Sequence, residues 1–327
     1  MKLPFSKSIL AFTTLLLLAA NLPASDKVSV YVSAHQDDWQ LFMGVNAYDD
    51  IVKSSDSSRV VIIYVTAGDY SDCINASDTN AVPYYIAREQ GAKNSVQLAA
   101  NTHKKQFAWE NDTVTINGHL LIRSSYRFVT SYFLRLADGA IDGSRNISLK
   151  NFHRNRFGNN YSIDSLTSYK DRNDLIQTCR SVILNETKAA EEIYLNLFDT
   201  SEVYNPNDHS DHYESAMLFL GSKPEPNWQV KLFEGYNSGR IDRSANLSEK
   251  DIMIESGLFT AYNQAMIDNG YPSIWNNDYI RFLDNNYFRI MSSEQITETN
   301  RANIAVAIFA LFVLAISLFA YYLLKRK

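Results

Sequence analysis

The segment that most restricts the fold is RVVIIYVTAGD (59–69), a nearly continuous run of apolar, β-branched residues. A strand with one wet face alternates in polarity. A run this continuous suits a strand of a parallel sheet covered on both faces. KVSVYVSAH (27–35) precedes it and also reads as a strand, with a helical segment from Trp39 between the two. Further along, 82–100 has the spacing of a helix with Pro83 near its start, and VTSYFLRLADG (129–139) is a strand ending in a turn. The alternation then repeats: helix at 171–186, strand at 192–200, helix at 212–221, last central strand at 228–237, and a long helix at 248–269. Strands alternating with helices predict an α/β fold, a Rossmann-like three-layer α/β/α sandwich with a mostly parallel sheet. Residues 140–170 show no period and read as a long surface excursion that shapes a substrate mouth.

The two ends differ from this body. Residues 1–25 carry Lys2 and Lys7, an apolar run from Ile9 to Ala20, and small residues at Ala24 and Ser25. That order is the one an export signal peptide presents, the alternatives being an uncleaved anchor or a buried helix. Ile304 to Leu324 is an apolar run of 21 residues without a charge. As a helix it spans roughly 30 Å, the thickness of a bilayer core, so it reads as one C-terminal transmembrane helix rather than a core helix. Tyr321 and Tyr322 suit the interface, and the basic tail Lys325, Arg326, Lys327 (325–327) stays in the cytoplasm. A lipid-anchor signal would end in its apolar tail, so the triplet argues against one; a processed sorting tail is the other alternative. The expectation is a single-pass membrane protein whose body, 26–300, lies outside the cytoplasm in a periplasmic, extracellular or lumenal space. Cys73 and Cys179 suit that compartment and could pair. Six Asn-x-Ser/Thr sites occur, which in an Asn-rich chain does not identify a eukaryote.

The chain has a formal charge of −5, but both ends are basic. The 26–300 body holds 25 basic against 36 acidic residues, about −11, which repels phosphate backbones and argues against a nucleic-acid role.

Of six histidines, His103, His119 and His153 sit in polar segments and read as surface residues. The other three fall in two clusters. Ser33-Ala34-His35-Gln36-Asp37-Asp38 ends the first strand, where active sites of parallel sheets lie. Two carboxylates beside a histidine are costly to bury without a cation. Alternate residues of such a run can face one metal while the residue between faces the substrate. A polar loop with helix-capping aspartates gives the same letters. Asn207-Asp208-His209-Ser210-Asp211-His212 follows the 192–200 strand. Its His-x-x-His at a helix start lets two imidazoles face one site, and its carboxylates could orient an imidazole. A solvated helix start is the competing reading. If the two strands are neighbours, the clusters meet at one sheet edge, and two histidines with a carboxylate suit a hydrolytic zinc or other divalent ion.

At these residues the sequence resembles the PIG-L/LmbE-like N-acetylglucosaminyl deacetylases. Their signature begins Ala-His-Pro-Asp-Asp and returns as a His-Pro-Asp-His type motif, here Ala34-His35-Gln36-Asp37-Asp38 and His209-Ser210-Asp211-His212. VTAGD (65–69), the helix with Arg88 and Glu89, FLRLADG (133–139) and 246–264 look similar too, so the resemblance covers about 28–290. It implies a Zn2+ (or another divalent metal such as Fe2+) held by His35, Asp38 and His212. It further implies that Asp37 is the general base toward water. His209 would stabilise the oxyanion or protonate the leaving amine, and Asp211 would orient His209. Three positions depart from the pattern: Gln36 and Ser210 replace prolines, and Trp39 stands where an acid is common. Trp39 is either a sugar-stacking wall or core.

The resemblance implies a zinc-dependent N-deacetylase acting on an extracytoplasmic N-acetylated amino sugar or its glycoconjugate. The alternative is a membrane-tethered, catalytically inactive sugar-binding protein on the same scaffold, which the retained Asp37 disfavours. A third reading keeps the metal and changes the bond, as in another amidase or esterase.

Overall fold

The computed structural model describes residues 26–298, apart from 71–74, 76–79, 102–106, 223, 226, 241 and 293. Its centre is an eight-stranded sheet. The strands are β1 (Lys27–Ser33), β2 (Ser58–Thr66), β3 (Glu110–Ile116), β4 (His119–Tyr126), β5 (Val129–Leu136), β8 (Glu192–Phe198), β9 (Gln229–Phe233) and β10 (Phe288–Met291). The short strands β6 (Asn160–Tyr161) and β7 (Ser168–Tyr169) pair separately. The sheet order is β10-β9-β8-β1-β2-β5-β4-β3. From β9 to β5 every pair is parallel, with Val30 opposite Val61 of β2 and Leu195 of β8. Antiparallel strands extend both edges, β10 on β9 and the β3–β4 hairpin on β5.

The continuous apolar run of β2 has the expected consequence, and β1, which alternates with serines, shares it. Val28 to Ser33 and Val60 to Thr66 are buried at every residue, so both faces of the central strands are covered. The cover comes from two sets of helices. In one, α1 (Asp38–Phe42), α2 (Gly44–Val52), α3 (Tyr84–Ala100) and α7 (Glu249–Asp268) pack on one another. In the other, α4 (Leu149–His153) and α5 (Arg172–Thr187) pack against α6 (Ser210–Gly221). Each Val, Ile or Phe buried between the layers contributes about 1.5–3 kcal/mol relative to exposure. Gly91 lets α3 approach α7, since a Cβ there would stand 2.6 Å from the Tyr262 ring. A short helix, α8 (Asn277–Ile280), completes the fold.

The β3–β4 hairpin was not expected from the sequence. Its outer strand is largely exposed, so no apolar stripe marks it. Asn117 (φ 51°) and Gly118 (φ 82°) close it, the left-handed pair that a two-residue hairpin turn needs. The 140–170 excursion contains α4, β6 and β7.

His119 is not a plain surface residue. It is half-buried and bridges three elements: Nδ1 lies 3.2 Å from Thr167 Oγ1 and Nε2 3.0 Å from Asp174 Oδ1. His153 is exposed, with Nδ1 2.8 Å from Glu214; His103 lies outside the described residues. Cys179 is a buried free thiol among the described residues, and Cys73 lies outside them. Among the described residues no helix is long and apolar enough to cross a membrane. The expected export segment (1–25) and transmembrane helix (304–324) lie outside those residues.

Candidate metal centre

Five parallel strands end on the same edge, and their outgoing loops build the site. After β1 the chain turns through Ala34 to Asp38. Thr66, the last residue of β2, braces that turn, its Oγ1 donating to Ala34 O at 2.8 Å. Gln36 replaces a backbone restraint with side-chain bonds. Its Nε2 donates to Thr66 O at 2.9 Å, and its Oε1 accepts from Arg88 Nε at 3.1 Å.

His35, Asp38 and His212 converge, their ligand atoms all within 4.8 Å of one another and all three residues buried. Asp38 Oδ1 lies 3.2 Å from His212 Nε2 and 3.4 Å from His35 Nδ1. Ligands about 2.1 Å from a tetrahedral ion stand about 3.4 Å apart, so these separations fit a shared divalent cation. Asp38 Oδ2 is already used, accepting from His35 N at 2.7 Å. His212 is held from behind: its Nδ1 is 2.9 Å from both oxygens of Asp208, and its ring stacks on Phe198 at 3.9 Å. A carboxylate on Nδ1 fixes the proton there and leaves the Nε2 lone pair for a metal. Although burial opposes it, Asp208 and Asp38 lift the His212 imidazole to about 9. Against the same opposition, His212 and His35 hold Asp38 well below the usual carboxylate range. This mutual stabilisation is what a cation would take over.

Asp37 is buried and lines a cleft of about 410 Å³ together with His35, Arg88, Asp138, His209 and Tyr236. Its Oδ1 accepts from Arg88 Nη2, so α3 supplies the cation that balances and aims it. His209 caps α6: its Nδ1 accepts from Asp211 N at 3.1 Å, which leaves its proton on Nε2. Burial, with His35 and His212 nearby, holds His209 well below the usual imidazole range, so it is neutral. The Asp211 carboxylate faces His35 rather than the His209 ring. Its Oδ2 accepts from Gly139 N at 2.8 Å and lies 3.5 Å from His35 Nε2. Burial raises the Asp211 carboxyl. Trp39 is core, fully buried with Nε1 donating to Tyr64 Oη at 2.9 Å.

The sequence reading placed Arg88 and Asp138 only in segments that resemble the family, and Asp208 only among the carboxylates that could orient an imidazole; it did not name Tyr236. Asp138, just past the end of β5, comes within 3.4 Å of His35 Nε2. The rule that flagged the ends of β1 and β8 applies to it equally. Arg88 and Tyr236 leave no local pattern, because their roles arise from packing across elements.

The chain is similar to N,N'-diacetylchitobiose deacetylase from Pyrococcus horikoshii, solved with its inhibitor MPG. The identity is 15% and the TM-score 0.43, covering 89% of this chain and 95% of that one. It is also similar to the deacetylase of the teicoplanin biosynthesis pathway in its bog complex, at 14% identity and TM-score 0.41, covering 78% and 89%. A third similar structure is the zinc-inhibited form of teicoplanin deacetylase Orf2, at 14% identity and TM-score 0.40, covering 78% and 90%. No family model and no curated protein matches the chain.

Proposed function

We propose that this chain is a PIG-L/LmbE-like, zinc-dependent N-deacetylase that removes acetyl from an N-acetylated amino sugar or its glycoconjugate. The observation that carries the reading is one cleft lined by His35, Asp37 and His209, with Asp38 and His212 buried beside His35. His35, Asp38 and His212 would hold the zinc, which supplies Lewis-acid polarisation and reactive water near neutral pH. Arg88 occupies Asp37 Oδ1 and leaves Oδ2 to accept a proton from the attacking water. The water oxygen adds to the acetyl carbon, and the Nε2–H of His209 would hydrogen-bond developing charge on the carbonyl oxygen. The C–N bond then breaks, acetate leaves, and the amine departs with the proton that Asp37 took from the water. The orienting role of Asp211 would be played by its backbone N–H, which donates to His209 Nδ1.

In the same reading, residues 1–25 export the body and 304–324 tether it, with the C-terminus in the cytoplasm. The composition of those segments supports this, and so does the acidic body, which suits a glycan more than a nucleic acid. The test is acetate release from a panel of N-acetylhexosamine compounds by the zinc-loaded full chain. Asp37→Asn should keep zinc and lose about 10²- to 10⁴-fold in turnover. No acetate release, while a control deacetylase turns over the same panel, contradicts the reading. Sugar binding that is equal in both proteins without turnover would favour the inactive binder.

A further inference from the structure

Three carboxylates crowd His35, and only Asp38 belongs to the first metal set. Asp138 and Asp211 approach the opposite ring nitrogen, Nε2, at 3.4 and 3.5 Å. Those distances are too long for good hydrogen bonds, and they match ligands about 2.1 Å from a common ion. Each carboxylate is anchored by one oxygen to the main chain. Asp138 Oδ1 accepts from Ala140 N at 2.8 Å, and Asp211 Oδ2 accepts from Gly139 N at 2.8 Å. Asp211 Oδ1 is buried without a hydrogen-bond partner, and the buried His35 Nε2 meets only the two long contacts to Asp138 and Asp211. A Cβ at Gly139 would stand 2.7 Å from that same Asp211 Oδ1, so the glycine keeps the approach open. His209 stands beside them, its ring centroid 4.5 Å from that of His35. The ligand atoms of His35, Asp138, His209 and Asp211 all lie within 4.8 Å of one another, and all four residues are buried.

The charges point the same way. Asp37, Asp38, Asp138, Asp208 and Asp211 are buried around one buried guanidinium, Arg88. The nearby Arg145 is engaged by Asp69 at 3.1 Å. One divalent cation at the first site leaves two negative charges in excess, and buried uncompensated charge is costly. A second divalent cation offsets that excess, to within the one charge that His35 gains on bridging.

We propose that His35 Nε2, Asp138 and Asp211, flanked by His209, form a second divalent-cation site that shares the His35 imidazole with the first. The inference rests on the reading of the first site. When both ions bind, His35 bridges them and its remaining N–H proton goes to solvent. The second ion sits beside His209 in the cleft, where the proposed reaction needs the Nε2–H of His209 free to meet the substrate, so its occupancy inhibits the hydrolase. The first site therefore activates and the second restrains.

The experiment is zinc binding by the metal-stripped full chain, by equilibrium dialysis with elemental analysis, run beside acetate release. Wild type should bind two equivalents, the second more weakly, with activity rising to one equivalent and falling beyond it. Asp138→Asn and, independently, Asp211→Asn should each bind one equivalent, and Asp38→Asn should lose the tighter one. Cobalt(II) gives a second readout in wild type alone: its visible bands should keep growing between one and two equivalents. Saturation at one equivalent in wild type, or two equivalents retained in both Asp138→Asn and Asp211→Asn, overturns the second site. One equivalent with acetate release leaves the deacetylase reading standing, whereas no bound zinc and no acetate release defeats both.

Discussion

Asp208→Asn tests how the metal centre is held without touching a metal ligand. Both Asp208 oxygens lie 2.9 Å from His212 Nδ1. The same carboxylate accepts from Tyr236 N at 2.9 Å and from Asn205 Nδ2 at 2.8 Å. All three neighbours are donors, so a carboxylate fits and an amide does not. If the Asn oxygen faces His212, its NH2 group meets another donor; if it is turned around, His212 loses the acceptor that fixes its tautomer. Removing such a partner typically costs 10- to 100-fold in metal affinity. That range corresponds to about 1.4–2.7 kcal/mol. The assay is zinc competition against a chromophoric chelator, with His212→Ala as the benchmark for losing the ligand itself. Asp208→Asn should fall between wild type and His212→Ala, with far-UV circular dichroism unchanged. A zinc Kd within two-fold of wild type would refute the argument that Asp208 sets the lone pair of His212.

Other outcomes follow from the packing. Gly91→Ala gains about 1 kcal/mol of helix propensity, but the new methyl would stand 2.6 Å from the fully buried Tyr262 ring. Overpacking costs about 1–3 kcal/mol, so urea unfolding should show a net loss of stability; a gain would mean that α3 and α7 separate freely. Glu89→Ala breaks a bidentate pair with Arg135, at 2.7 Å through each oxygen, on the half-buried end of β5. It should cost about 3 kcal/mol in the same assay, the low end for a buried pair because Arg135 keeps Asp164 at 2.6 Å, and an unchanged midpoint would contradict that. Burial pushes the Cys179 thiol up to about 12. Below pH 9 it should stay unlabelled by a thiol reagent until the protein unfolds, as peptide mass mapping would show; labelling in the native state would place Cys179 outside the core.

The parallel core was legible because burial on both faces writes itself into composition: β2 is apolar without a break from Val60 to Val65, whereas β1 alternates with Ser29 and Ser33 and was legible from its β-branched residues. The β3–β4 hairpin was harder, since its outer strand faces water and carries polar residues. Its one strong signal, Asn117-Gly118, is a turn cue that the search for apolar runs passes over. His35, Asp38 and His212 were legible as adjacent acids and spaced imidazoles at strand ends. Asp208 could be seen only as one of several carboxylates in its cluster, because the sequence does not say which nitrogen of which ring it meets. Arg88 stands 51 residues from Asp37 and is brought to it by the turn of α3. Trp39 allowed two readings, and the hydroxyl of Tyr64 on the neighbouring strand places it in the core.

The most direct test of the central claim is an anomalous-difference map at the zinc edge from crystals of the zinc-loaded protein. The account predicts a strong peak bonded to His35, Asp38 and His212. A peak elsewhere, or none within coordination reach of both His35 and His212 in a zinc-saturated crystal, would contradict it.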